Sequence, residues 1–323
     1  MGFRNDLLPA GRARRRPPAD VLQREPARRE RLRVRRGRVS SSGKEAEMLD
    51  QKVSSYGVLE SQRSDDEVSV KLEELTRIGY TQLDSGIGQS GLDELRAELP
   101  SVYDRQAAEM DGASLEGSND ADVARCLLAY DDCFLKLATN PRLLELCRRL
   151  FGESFVLLQQ NGLINRPSGG HYQLRWHRDL PFQHWTASRP IAIAALFCLD
   201  EFNATTGGTY ALPGSHMREG FPSEAFVREH QRVMTAPPGT FIVMDAMVFH
   251  RAGKNTSDGV RRAVNHLIGL PFLAQQIDIP SMLNGAHAAD PSISAYLGYK
   301  WRPAPSVKAW RNDRVKGTGA QGT

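Results

Sequence analysis

Residues 237–250 read Pro237-Pro238-Gly239 and then TFIVMDAMVFH, Thr240–His250. The proline pair and glycine punctuate a turn, and the apolar run behind them is rich in the β-branched and aromatic residues that suit a pleated, buried surface. The run reads as one strand, Thr240–Phe249, that delivers His250 to its end. Comparable short runs lie on either side, at Phe155–Asn165, Ile191–Leu199, Thr209–Leu212 and Ala263–Leu270, separated by Gly, Pro, Asn and Asp. Such spacing is the signature of a β-sandwich or barrel.

Upstream of Gly152 the pattern is helical. Val68, Leu72, Leu75 and Ile78 share one face at spacings of three and four, and Gly79 stops that helix. Ser90 is placed to cap a second helix through Leu92, Leu95 and Leu99. Asn140-Pro141 reads as cap plus first-turn proline for a third, which carries Leu143, Leu144, Leu146 and Leu150 and ends at Gly152. The expected fold is α+β, with helices leading and supporting a β-barrel. No internal repeat and no strand–helix alternation of the doubly wound kind is present.

The chain of 323 residues is 40% apolar, enough for a sizeable core. Its net charge of +4 is unevenly spread: residues 1–47 hold fourteen of the 42 basic and six of the 38 acidic residues, a local +8 that leaves the rest at −4. This Arg- and Pro-rich leader has too little apolar surface to order itself. It reads as disordered: a nucleic-acid-contacting arm, an organelle transit segment, which its acidic residues argue against, or a stretch outside the functional protein with the start at Met48. No aromatic interleaves with its arginines as a base-stacking surface requires, which argues against nucleic acid. Residues 48–311 read as a single domain and 312–323 as a flexible tail. Cys126, Cys133, Cys147 and Cys198 form no C-x-x-C pair, no apolar run reaches eighteen residues, and no secretory signal opens the chain. A cytoplasmic protein without membrane association is expected.

Chemistry enters with His177-Arg178-Asp179. In extended chain, side chains i and i+2 share a face, so His177 and Asp179 can converge on one ion while Arg178 points away. His250 at a strand end is the candidate third ligand. Two histidines and one carboxylate form the facial triad of non-haem iron oxygenases, which leaves three adjacent coordination positions open for a bidentate 2-oxo acid and dioxygen. A structural zinc site would be closed by four ligands, usually with cysteine, and the cysteines here pattern as core. A 2-oxoglutarate co-substrate also needs its distal carboxylate anchored, which a guanidinium does with two charge-assisted hydrogen bonds. Arg261 and Arg262 both lie on the strand after His250, one facing in and one out, so one of them can serve.

The chain at this point resembles the phytanoyl-CoA dioxygenase-like oxygenases, from about Val68 to Phe272. The resemblance rests on Leu163-Ile164-Asn165-Arg166-Pro167, the His177 triplet, Gly207-Gly208 leading to Pro213-Gly214-Ser215-His216, the Pro238-Gly239 turn, and His250 with Gly253 and Asn255. It implies a double-stranded β-helix (jelly-roll, cupin-like) barrel, iron(II), 2-oxoglutarate, and oxidation of a C–H bond of a small molecule by dioxygen with release of succinate and carbon dioxide. It also selects Arg261, eleven residues after the distal histidine, as the co-substrate anchor. Hydroxylation is the expected outcome, with desaturation, cyclisation or epimerisation as alternatives on the same site. In related halogenases the carboxylate position is Gly or Ala, so Asp179 argues against halogenation.

Three further residues are candidates for substrate contact. Gln160 belongs to the polar run Gln159-Gln160-Asn161 inside an apolar strand, and Phe182 and Trp185 follow the triplet in LPFQHW. Two other classes stay open, a metal-bearing barrel enzyme that does not use 2-oxoglutarate and a non-catalytic binding protein whose basic arm contacts nucleic acid; oligomeric state is not legible.

Overall fold

The structure, a computed structural model, describes residues 55–61, 64–110, 117–118, 120–167 and 172–319. The Arg-rich leader lies outside them. Every element below belongs to the compact unit that begins after Ser61.

The first helix, α1 (Glu67–Arg77), starts where Asp66 accepts from the Ser69 amide and stops at Gly79, whose φ is +95°. Helix α2 (Gln89–Ala108) begins one residue before the expected cap: Gly88 is its N-cap and no side chain caps it, so Ser90 sits inside the first turn. After the short α3 (Asp132–Ala138), α4 (Pro141–Phe151) follows the sequence closely, with Asn140 accepting from the amides of Arg142 and Leu143 and Gly152 at φ +75° closing it. Two short strands interrupt this helical half, β1 (Tyr80–Asp84) and β2 (Val123–Arg125).

The remaining strands are β3 (Val156–Asn165), β4 (Ala192–Cys198), β5 (Tyr210–Ala211), β6 (Arg232–Val233), β7 (Thr240–Asp245), β8 (His250–Arg251) and β9 (Arg261–Gly269). Six form an antiparallel sheet in the order β1-β7-β4-β9-β3-β2, and three a smaller sheet in the order β6-β5-β8. One expectation needs correction. The strand expected over Thr240–Phe249 is shorter: it ends at Asp245, whose carboxylate accepts from the Met247 amide and whose carbonyl accepts from the Val248 amide, and the turn so made carries the chain into the smaller sheet. Helix Val307–Gly319 also occupies much of the stretch expected as a tail.

Strand alternation sorts the core in two. Ile193, Ala195, Phe197, Phe241, Val243, Val264 and Ile268 face the helices and pack with Leu75, Leu99, Phe134 and Leu143. Their alternates Ala194, Leu196, Ile242, Met244, Ala263 and Leu267 pack inward with Phe202, Ala211, Met234 and Val248. The functional residues lie on this inward face.

Candidate active site

His177 lies in a loop but is locked to β8 by a two-way bridge, each of His177 and His250 donating its backbone N–H to the other's carbonyl at 3.0 Å. Two residues on, the Asp179 amide donates to the Ala246 carbonyl at 3.0 Å, in the turn after β7. The triplet is therefore stitched to both ends of the turn that delivers His250. Arg178 points away, as parity requires. Its buried guanidinium donates to the carbonyls of Met247, Ser215, Arg218 and Glu219 and stacks 3.8 Å over Phe249. That arginine fastens the triplet to the Ser215–Glu219 segment.

The three side chains converge. Asp179 Oδ1 lies 4.0 Å from His177 Nε2 and 3.6 Å from His250 Nε2, and one ligand atom from each residue falls within a 4.8 Å cluster. Each imidazole Nδ1 is held by a carbonyl, that of Arg175 at 2.8 Å for His177 and that of Val248 at 3.0 Å for His250. A carbonyl only accepts, so each Nδ1 carries the hydrogen and each Nε2 is turned toward the carboxylate, the tautomer a metal ligand needs. Asp179 Oδ2 is buried and accepts no hydrogen bond. A buried carboxylate oxygen left without a donor is costly unless a cation completes it. The donor set of two nitrogens and one carboxylate suits iron(II) with open positions.

Strand parity separates the two arginines. Arg262 faces out and is paired with Asp200 at 2.9 Å. Arg261 faces in, 4% exposed, with Nη2 donating to the Gly207 carbonyl at 3.0 Å, its guanidinium 4.4 Å over the Phe202 ring, and Nε without a partner. Burial pushes its pKa down to about 10, and no carboxylate pairs with it among the described residues. A desolvated cation in that condition is a site for an anion. Arg261 shares one cavity with His177, Asp179 and His250, walled also by Asn165, Gln173, Thr209 and Asn265. Thr209 and Asn265 were not singled out from sequence. Thr209 opens the Thr209–Leu212 strand read there, and Asn265 is on the inward parity of Arg261.

The Gly207 approach is exact in its demand for glycine. A Cβ at Gly207, where φ is +80°, would lie 2.6 Å from the Gly253 carbonyl, and one at Gly253 would lie 2.5 Å from the Gly208 carbonyl. The loops before β5 and after β8 thus touch backbone to backbone beside Arg261.

Gln160 is not brought to the cavity. Its amide accepts from the Leu128 N–H, donates to the Phe134 carbonyl, and meets His266 at 2.9 Å, all within the helix-facing core. A bulge between Leu157 and Gln159 sets the parity, turning Gln159 and Asn161 toward a second cavity and Gln160 away. Phe182 and Trp185 are exposed and stand outside both cavities, with Gln183 buried between them and donating to the Trp185 carbonyl. His216 is buried, with Nε2 on the Thr76 carbonyl at 3.1 Å, a fold-supporting contact.

An iron-oxygenase type of centre on a double-stranded β-helix is the class that fold and geometry define. The sequence profile described as phytanoyl-CoA dioxygenase (PhyH) matches residues 75–263, more than half of the chain. The chain belongs to that family of iron(II)- and 2-oxoglutarate-dependent dioxygenases. Rv1501, an uncharacterised protein of Mycobacterium tuberculosis, is 29% identical over 220 residues, which cover 66% of this chain and 79% of that one. Among solved structures, EctD from S. alaskensis with 2-oxoglutarate and 5-hydroxyectoine superposes with a TM-score of 0.55 at 21% identity, covering 67% of this chain and 81% of EctD. The epimerase SnoN in complex with Fe3+, alpha ketoglutarate and nogalamycin RO gives 0.50 at 18% identity, covering 63% and 84%. Both likenesses are of fold. No helix among the described residues is long and apolar enough to cross a membrane.

Proposed function

We propose that the protein oxidises a C–H bond of a small molecule, as a hydroxylase, with His177, Asp179 and His250 holding iron(II) and Arg261 anchoring the distal carboxylate of 2-oxoglutarate. The observation that carries this reading is the shared cavity in which an unpaired buried guanidinium faces a carboxylate with an orphaned oxygen and two correctly turned imidazoles. The bound metal with 2-oxoglutarate and dioxygen supplies the oxidising power, the co-substrate leaving as succinate and carbon dioxide while one oxygen atom enters the substrate.

The chain's own residues position and enclose. The carbonyls of Arg175 and Val248 fix the two imidazoles, so ligand orientation is set before any metal binds. Arg261 offers a planar fork in a dry setting, where charge-assisted bonds are stronger than in water. Leu163, Leu196 and Met244 supply apolar walls that limit water at the site.

Anaerobic addition of iron(II) and then 2-oxoglutarate tests the reading through the visible charge-transfer band of the chelate. A band in wild type that is lost in His177→Ala supports it. Its absence in metal-loaded wild type, or its survival in His177→Ala, rejects it. Product analysis then separates hydroxylation from desaturation, cyclisation and epimerisation, which share this metal site.

A further inference from the structure

A second cavity, of about 490 Å³, adjoins the first and shares His177, Asp179, Leu163, Gln173 and Asn265 with it. Its size lies within the range of small-molecule sites, and its walls carry several amides and guanidiniums. The side chains that decide its chemistry are Arg125, Gln159, Asn161, Arg175, Asn265 and Gln276. Asp179 is the one carboxylate among the described residues lining it, and on the proposed function that charge serves the metal.

Of its three arginines, Arg178 is already bonded to four carbonyls, and the other two differ. Arg125 is satisfied: Nε donates to Asp120 at 3.1 Å and Nη1 to Gln276 at 3.2 Å, and Asn161, with its amide oxygen turned to the donor, accepts from Nη1 at 2.9 Å. These amides and guanidinium make a fixed hydrogen-bonding wall of balanced charge. The Arg175 side chain stands exposed at the rim with no ion pair or hydrogen bond to a described residue. Deeper in, Asn265 Oδ1 is buried and accepts nothing. An uncompensated cation at the mouth and an acceptor awaiting a donor beside Asp179 define complementary ends for a ligand.

We infer that this cavity receives a compact polar prime substrate bearing an anionic group, in the simplest case a carboxylate, with Arg175 meeting the anion and Asn265 accepting a hydrogen bond from the end nearest Asp179. The inference rests on the metal-site reading for which side of Asp179 the reaction occupies, but the recognition chemistry belongs to this chain's own side chains. An apolar chain would leave the Arg175 guanidinium and the Asn265 Oδ1 without partners, a cost that selects against it.

Calorimetric titration under anaerobic conditions tests it without turnover. The protein, with and without iron(II) and 2-oxoglutarate, is titrated with the standard L-amino acids and with the corresponding carboxamides as matched probes. At least one carboxylate should bind, its carboxamide at least about tenfold more weakly, since a charge-assisted bond is lost. Arg175→Gln should bring the pair to within about twofold and Arg175→Lys should keep part of the preference, while Asn265→Leu weakens both members. Binding of no carboxylate, equal binding of each pair, or a preference that survives in Arg175→Gln overturns the inference. Titration of 2-oxoglutarate itself in the same cell reads the metal site separately: its failure strikes that reading, while the carboxylate preference still reports on the cavity.

Discussion

His177 and His250 are paired through their backbones, N–H to carbonyl in both directions at 3.0 Å, and their rings lie 4.4 Å apart. The pairing is made by main chain alone, so it does not depend on the imidazoles. Consequently His177→Ala and His250→Ala should fold with metal-free melting temperatures within a few degrees of wild type, yet lose iron. Outer partners of metal ligands are commonly worth about 10–100-fold in affinity, and loss of a ligand itself should exceed that. Iron content after dialysis, measured beside thermal melts with and without iron(II), checks both halves. Retained iron in either variant would count against the ligand assignment.

Arg261 and Arg262 are neighbours on one strand with opposite fates, which makes a matched pair of variants informative. Arg261→Lys keeps the charge but removes the planar fork. Hydrogen bonds involving charged groups are worth about 1.5–3 kcal/mol, so its apparent affinity for 2-oxoglutarate should fall by about 10–150-fold. Arg262→Lys touches only the Asp200 network on the outer face and should change that affinity by less than about threefold. Steady-state KM for 2-oxoglutarate, or its binding to the iron(II) protein, separates the two. Equal effects would move the anchor elsewhere.

These residues also mark what was legible from the chain. His177 and Asp179 follow from period-two alternation and His250 from its place at the end of an apolar run, whereas alternation left Arg261 and Arg262 open and the family resemblance chose Arg261. The path between Asp245 and His250 did not follow, because an apolar run looks alike whether it stays in one sheet or turns into another; the Asp245 carboxylate that makes the turn is the one charged group in Thr240–Phe249. Gln160 was misassigned in direction for a related reason: a bulge after Leu157 shifts the parity of everything beyond it, and a bulge has no side-chain signature in FVLLQQNGLIN. Strand β1 was hidden because its five residues sit between two strongly patterned helices. Asn265 and Arg175 had no local signal at all, since their significance is what they lack, a partner.

The contact of the Gly207-Gly208 and Gly253 loops should be intolerant of a single methyl group. Gly253→Ala places a Cβ 2.5 Å from the Gly208 carbonyl, and backbone cannot yield as a flexible side chain can. Overpacking of this kind costs about 1–3 kcal/mol. Because the Gly207 carbonyl is also the hydrogen-bond acceptor of Arg261, the variant should combine lower urea resistance with a raised KM for 2-oxoglutarate. Lower stability with KM unaltered would show that the loop contact and the arginine are independent.

His266 provides a pH signature away from the metal site. It is fully buried among Gln160, Phe241 and the Ala195 carbonyl, and burial pushes its pKa down from 6.5 to about 4. The unfolded chain therefore binds a proton that the folded chain refuses, so stability is complete above about pH 6.5 and is lost as pH falls toward 4. At 1.36 kcal/mol for each unit, the loss across that window is on the order of 3 kcal/mol. Asp66, Asp84, Asp131, Asp278 and Asp290, held below the ordinary carboxylate value by hydrogen bonds, act at lower pH. Asp245 opposes the trend, because burial raises its carboxyl and folding then favours the proton. The variant His266→Gln isolates the histidine: it should be less stable than wild type at pH 7, where the fit to Gln160 is disturbed, but its stability should decline less between pH 6.5 and 4.5. Urea unfolding at half-unit intervals measures both slopes, and parallel curves would mean that His266 is not the group refusing the proton.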